Sequence, residues 1–264
     1  MSKVVIIGGG HAGANTAFAL RKDGFDGDIN IFCDESHLPY HRPPLSKDFL
    51  KQKVEEDKLR FKPAEFYDDQ NISVHLNTRV NSIDIESNKV GSDDASFDFD
   101  YLVFATGAAP RLLPMENADA ENLFYLRDIS DVLSLQKLTT SGKKIVLIGG
   151  GYIGLEVASA MIEMGLEVTI LESEDRILKR VTSPELSEFY NDYHSKMGVE
   201  IICGAKVSEL IADDQNINSV GLESGEKIIA DIILVGIGAI PNIHLAESIG
   251  LECDNGIKTD QFCR

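Results

Sequence analysis

The residues of this chain with the plainest chemical use are two sets of three glycines, each followed downstream by carboxylates. Gly149, Gly151 and Gly154 spell G-x-G-x-x-G, and Glu172 follows roughly 20 residues later. The first glycine of such a set permits a tight turn. The second lets a pyrophosphate approach the backbone, and the third lets the following helix pack closely. A helix start also offers unpaired N–H groups and partial positive charge to phosphates. A carboxylate where Glu172 stands accepts hydrogen bonds from a ribose 2′-OH and repels a 2′-phosphate. NAD(H) is therefore favoured over NADP(H), although Arg176, close by in sequence, softens the preference. Gly8, Gly10 and Gly13 repeat the pattern, with Asp34 and Glu35 as the downstream acids. Two complete sets imply two dinucleotide sites. The plainer alternative is that one of them is degenerate and empty.

Such a motif has meaning only between a strand and a helix. Residues 145–148 form an apolar run, an alanine-containing helix follows Gly151, and a second apolar run at 168–171 ends on Glu172. The same sequence of elements surrounds the first glycines: a strand at 3–7, a slim helix with Ala12, Ala14, Ala17 and Ala19, and a strand at 29–32. Further along, residues 48–62 read as a surface helix or loop. Strands are expected at 72–76, around Ile83 and Ile85, and at 101–105. Pro110 and Pro114 mark 109–126 as a linker. Residues 128–138 have helical periodicity. Ser183 as N-cap and Pro184 in the first turn start a helix over 183–197. Short strands follow at 199–203, 207–211 and 231–235, with β runs and turn residues over 215–229.

The chain has 264 residues, enough for one large domain or two medium ones, and 43% are hydrophobic, so a sizeable core can form. The formal charge of −18 disfavours non-specific binding to nucleic acid or to an anionic membrane. No apolar stretch approaches the roughly 18–20 residues of a membrane span, and no charged leader precedes the first strand. Both point to a cytoplasmic protein. The four cysteines, Cys33, Cys203, Cys253 and Cys263, form no C-x-x-C and no zinc-ligand spacing, so free thiols and no metal site are expected. Of the six histidines, His37 and His41 are four apart, but Pro39 keeps them off a regular helix face.

Residues 37–47, HLPYHRPPLSK, place Arg42 and Lys47 on or beside a stiff proline-rich segment just past the first ribose acids. They read either as a solvated loop or as a loop laid along a cofactor, supplying positive charge to a pyrophosphate or a reduced ring. Four stretches now stand in order: the glycines at 8–13, PY-x-RPPLSK at 39–47, ATG-x-x-PR at 105–111 and GGGYIGLE at 149–156. Together they resemble the FAD-dependent, NADH-using reductases of ferredoxins and rubredoxins. These are glutathione-reductase-like flavoproteins, similar also to apoptosis-inducing factor.

The resemblance implies an α/β fold of two Rossmann-like nucleotide-binding domains, the NAD domain inserted into the FAD domain. The expected segments are 1–110 for FAD, 111–236 for NAD and 237–264 for the returning FAD segment. FAD would use Gly8, Gly10, Ala12, Gly13, Asp34 or Glu35, and Arg42. Val80 would meet the adenine through its backbone, Ala105, Thr106 and Gly107 would approach FAD, and Arg127 would lie near it. NAD(H) would use Gly149, Gly151, Tyr152, Ile153, Gly154 and Glu172, with Gly238 beside the nicotinamide. Lys47 and Glu156 would form an ion pair beside the isoalloxazine. NADH would pass hydride to flavin N5, and the flavin would pass electrons to a small iron–sulfur protein, a ferredoxin or a rubredoxin.

Disulfide reductases of this kind carry C-x₄-C after the first ribose acid, and peroxide- or coenzyme A-linked members carry one cysteine there. Residues 36–49 contain none, which disfavours both chemistries. Relatives continue past the point where this sequence stops, with a Gly-Asp motif that binds FAD and an interface domain. The chain therefore reads as a fragment. An apoptosis-inducing-factor-like interaction protein, or an inactive remnant that binds NADH alone, are the alternatives.

Overall fold

A computed structural model describes residues 1–93 and 95–264. The chain divides into two compact units. One comprises Met1–His41, Glu56–Ala109 and Ile240–Arg264, the other Arg42–Glu55 and Pro110–Ala239. Residues 42–55, which the sequence places within 1–110, thus group with the second unit.

In the first unit β1 (Lys3–Ile7) leads into α1 (His11–Lys22) and β2 (Asp28–Phe32). Next come α2 (Ala64–Asp69), β3 (Ile72–His75), β4 (Ser82–Asp84), β5 (Lys89–Gly91), β6 (Ser96–Asp98) and β7 (Tyr101–Phe104). The parallel sheet has the order β3-β2-β1-β7. Its central strand is apolar on both faces, with Val5 and Ile6 fully buried, because layers cover both sides of it. Ala14 and Ala17 let α1 lie close, as expected from their size. β4, β5 and β6 form a separate antiparallel sheet that supports the other face through Val90 and Phe97. β8 (Ala108–Pro110) ends this run of the chain.

The second unit contains β9 (Leu123–Tyr125), α3 (Ile129–Gln136), β10 (Lys144–Ile148), α4 (Tyr152–Glu163), β11 (Glu167–Glu172), α5 (Pro184–Lys196) and β12 (Glu200–Cys203). β13 (Val207–Asp213), β14 (Asn216–Leu222) and β15 (Lys227–Ile229) make an antiparallel sheet, and β16 (Ile232–Val235) returns to the parallel one. The parallel order is β12-β11-β10-β16-β9. β17 (Ala239–Pro241) then leads to α6 (His244–Ser248), which belongs to the first unit.

Two expectations need correction. Residues 109–126 are not merely a linker, because β9 pairs in parallel with β16 and Leu113 and Leu123 are buried. A three-residue strand is too short to show periodicity. Asn122, just before it, is 3% exposed; its side chain donates to the carbonyls of Ile217 and Asp231 and accepts from the Ile217 N–H. Nor do residues 48–62 lie wholly on the surface, since Phe49, Leu50 and Leu59 are buried. The segment is pinned by such anchors, each contributing about 1.5–3 kcal/mol, rather than by a regular element. A 3₁₀ turn at Pro43–Ser46 precedes it, started by the two prolines.

The other elements follow their local signals. Asp128 and Asp131 form a reciprocal capping box at the start of α3. Ser183 caps α5, and Pro184 occupies its first turn.

Candidate functional site

The glycine turns have matching geometry in the two units. Gly8 and Gly149 have φ of +115° and +113°, in the left-handed region. A Cβ on Gly8 would lie 2.1 Å from the Ala105 carbonyl oxygen, and one on Gly149 would lie 2.5 Å from that of Gly236. A Cβ on Gly13 or Gly154 would strike the carbonyl of Gly8 or Gly149, at 2.0 and 2.3 Å. Gly10 and Gly151 differ: a Cβ there meets nothing within 4 Å. Each is an extended N-cap without a side-chain cap, so the first N–H groups of α1 and α4 face open space. This is a cradle that an anionic pyrophosphate fits. Ala12 is exposed on the first turn of α1. Tyr152 and Ile153 are 51% and 47% exposed on the first turn of α4, an unusual state for large apolar residues.

Beside the first turn lies a cleft of about 400 Å³, lined by Gly8, Asp34, Val80, Thr106, Asn242 and His244 among others. Thr106 donates through Oγ1 to the Asn242 carbonyl at 2.6 Å, and the Asn242 amide donates back to the Thr106 carbonyl at 2.8 Å. The turn from Ala105 to Gly107 is thereby fixed at the cleft wall. Asn242 and His244 were not among the residues expected from the sequence, where Gly238 alone was singled out in this stretch.

The two acids after β2 behave differently. Asp34 is exposed and lines the cleft. Glu35 accepts a hydrogen bond from the Tyr40 hydroxyl at 2.5 Å, within its own loop. In register, neither matches Glu172. Gly8 N–H donates to the Phe32 carbonyl as Gly149 N–H donates to that of Leu171, so Cys33 is the counterpart of Glu172. Cys33 is buried under Gly9, and burial, then Glu35 and Asp34, push its thiol up to about 12.

In the second unit Glu172 accepts from the Gly150 N–H at 2.7 Å and, through its other oxygen, from the Glu174 N–H at 2.9 Å. The carboxylate is therefore oriented by the glycine turn it serves. Arg176 is held by Ser187 Oγ and by the carbonyls of Lys179 and Thr182. Lys179 pairs with Glu174 and Asp175.

Residues 42–53 run along α4. Lys47 Nζ lies 2.6 Å from Glu156 Oε2, and Ser46 Oγ donates to the same oxygen at 2.5 Å. Two turns further along that face, Lys51 and Lys53 both pair with Glu163. Arg42 donates to the Arg127 backbone carbonyl at 2.7 Å. Arg127 is set by its own N–H, which donates to Asp131 in the α3 cap. Gly238 has φ of +120°, and its carbonyl accepts from Arg111 N–H. Among the described residues no cluster of side chains is suited to a metal ion, and no helix is long and apolar enough to cross a membrane.

A protein family described as pyridine nucleotide-disulphide oxidoreductase matches residues 2–264. Rubredoxin-NAD(+) reductase of Pseudomonas putida is 40% identical over 262 residues, covering 99% of this chain and 68% of that protein. Putidaredoxin reductase of Pseudomonas putida is 40% identical over 260 residues, covering 96% of this chain and 62% of that protein. Among solved structures, the covalent putidaredoxin reductase–putidaredoxin complex superposes with a TM-score of 0.94 at 39% identity, over 97% of this chain and 63% of the matched one.

Proposed function

Because the chain belongs to the pyridine nucleotide-disulphide oxidoreductase family, we propose that it acts as an NADH-dependent, FAD-containing reductase delivering electrons to a small iron–sulfur protein of the ferredoxin or rubredoxin kind. One observation carries this reading: both units present the same glycine turn, with open space over Gly10 and Gly151 and uncapped helix starts behind them. The relatives' names supply the nicotinamide donor and the kind of acceptor.

FAD, when bound, accepts a hydride from NADH and releases electrons singly. The residues do the positioning. N–H groups at the start of α1 hold the FAD pyrophosphate, and Asp34 receives a ribose hydroxyl at the cleft. N–H groups at the start of α4 hold the NADH pyrophosphate, and Glu172 accepts from the 2′-OH. Within the second unit, Glu156 orients Lys47. Cys33, protonated at neutral pH, offers no thiolate nucleophile. A cytosolic setting belongs to the same reading and is supported by four free thiols.

An absorbance spectrum of the purified protein tests the proposal. A visible flavin band that bleaches on anaerobic addition of NADH is the expected result. Flavin that stays oxidised would favour an interaction protein, and a colourless protein that binds NADH would favour a remnant.

A further inference from the structure

α5, which packs against β12, reverses the usual arrangement of a helix on a sheet, in which the apolar stripe faces inward. The residues it buries are polar, Ser187 and His194. Ser187 Oγ donates to the Ile177 carbonyl at 2.6 Å and accepts from Arg176, so hydrogen bonds fix this face. The large apolar side chains stand outward instead. Leu186, Phe189, Tyr193 and Met197 are 49%, 60%, 52% and 51% exposed, and Val181, just ahead of the helix, is 58% exposed. Steps of three and four residues put the first four on one side of α5. The rings of Phe189 and Tyr193 lie 20° from parallel with centroids 6.3 Å apart.

Five such side chains, with on the order of 100 Å² exposed on each, make a patch at the upper end of what a monomer shows. Two of these patches face to face reach the roughly 1,000 Å² that a specific interface needs. The stripe is also its own complement. About a midpoint near Asn191, Leu186 mirrors Met197 and Phe189 mirrors Tyr193. A contact between identical surfaces across a two-fold axis requires this symmetry. Along one edge of the stripe α5 carries Glu185 in its first turn and Lys196 in its last, both exposed. They are close to three whole turns apart and so share that edge. Antiparallel pairing sets Glu185 of each copy against Lys196 of the other, whereas parallel pairing opposes like charges.

We propose that α5 is a self-association surface, on which two copies of this chain pair through antiparallel helices. Phe189 meets Tyr193 at the centre, and Glu185 meets Lys196 at both rims. The charge of −18 makes copies repel at long range. The contact therefore forms where salt screens that repulsion, at about 0.15 M.

Sedimentation equilibrium of the whole chain at this ionic strength, and at up to about 100 µM protein to populate a weak contact, tests the proposal. The expected mass is twice the 29.0 kDa of one chain. Replacing both Phe189→Ser and Tyr193→Ser is expected to return it to that of one chain. Reciprocal charge swaps are more specific. Glu185→Lys and Lys196→Glu are each expected to be monomeric alone, and an equimolar mixture of the two to pair again, because each charge then meets its opposite. A variant that merely failed to fold could not be rescued by mixing. A dimer that survives both single swaps, or swaps that fail to rescue one another, would overturn the proposal. A chain that stays monomeric throughout would assign the stripe to a different partner, and would overturn it too.

Discussion

The thiol of Cys33 stands in the first glycine turn where the carboxylate of Glu172 stands in the second. Glu172 bonds the N–H of the middle glycine, Gly150, whereas Sγ of Cys33 fills the space that a side chain on Gly9 would need. The two halves repeat the same turn but not the same acid. On the proposed reading, a ribose contact in the first half would come from beyond the strand end, where Asp34 faces the cleft and Glu35 accepts from Tyr40.

Flavin retention separates these two acids. Asp34→Ala is expected to weaken FAD binding by about tenfold, the loss of a charged acceptor. Glu35→Gln keeps an oxygen for the Tyr40 hydroxyl and is expected to bind FAD nearly as well. Equilibrium dialysis of both variants gives the comparison, and an equal effect would return the role to the pair.

Cys33 should resist alkylation while the protein is folded. Raising a thiol from 9.0 to about 12 lowers its thiolate fraction at neutral pH, by roughly a thousandfold. Iodoacetamide at pH 7.5 is expected to modify exposed Cys263 well before Cys33, and peptide mass mapping over time reads the order. Modification of Cys33 at a comparable rate in folded protein would contradict its burial.

The sequence allowed Arg176 to soften the preference for NADH. In the structure its guanidinium is committed to Ser187, Lys179 and Thr182. Glu172→Ala is therefore expected to weaken ADP-ribose binding without creating a 2′-phosphate site. It also leaves the Gly150 N–H unpaired, at a cost of about 1–3 kcal/mol in stability. Tight binding of 2′-phospho-ADP-ribose by this variant would show that Arg176 swings free.

Glu163 links residues 51 and 53 to α4, and the donors on Lys51 and Lys53 hold its carboxyl down at about 2. A folded value below the ordinary 4.5 means that its contribution is present above about pH 4.5 and is lost as pH falls toward 2. The pairs are exposed, so salt should weaken them too. In Glu163→Gln at neutral pH, amide hydrogens at 51–53 are expected to exchange faster. Unchanged exchange would assign the anchoring to Phe49 and Leu50 alone.

Asn122 is a structural test without a ligand. Its three hydrogen bonds join β9 to partners near β14 and β16 from a buried position. Asn122→Ala strands two carbonyls and an N–H, and is expected to cost about 2–4 kcal/mol in thermal or urea unfolding. A loss below about 1 kcal/mol would mean that water replaces the amide.

What could be read in advance was what repeats or alternates. The two apolar strands, their glycines and the slim helices α1 and α4 carry strong local signals, and they lie where the spacing puts them. β9 did not show, because its pairing with β16 is set by distant residues rather than by its own pattern. The displacement of the first acid was equally hidden, since only the strand register shows that Cys33, not Asp34, matches Glu172. The bond from Ser46 to Glu156 passed unnoticed because its two ends lie far apart along the chain.

Residues 42–55 come early in the chain, yet Lys47, Lys51, Lys53 and Phe49 bond to Glu156, Glu163 and Gln136 of the second unit. Protein engineers who cut out positions 110–239 as a stand-alone NADH binder would strip away a strap that this body does not encode within its own borders. The exposed flanks of α3 and α4 would then invite clumping. Supplying the missing fourteen-residue strap as a separate peptide, or grafting it on through a linker, should restore solubility.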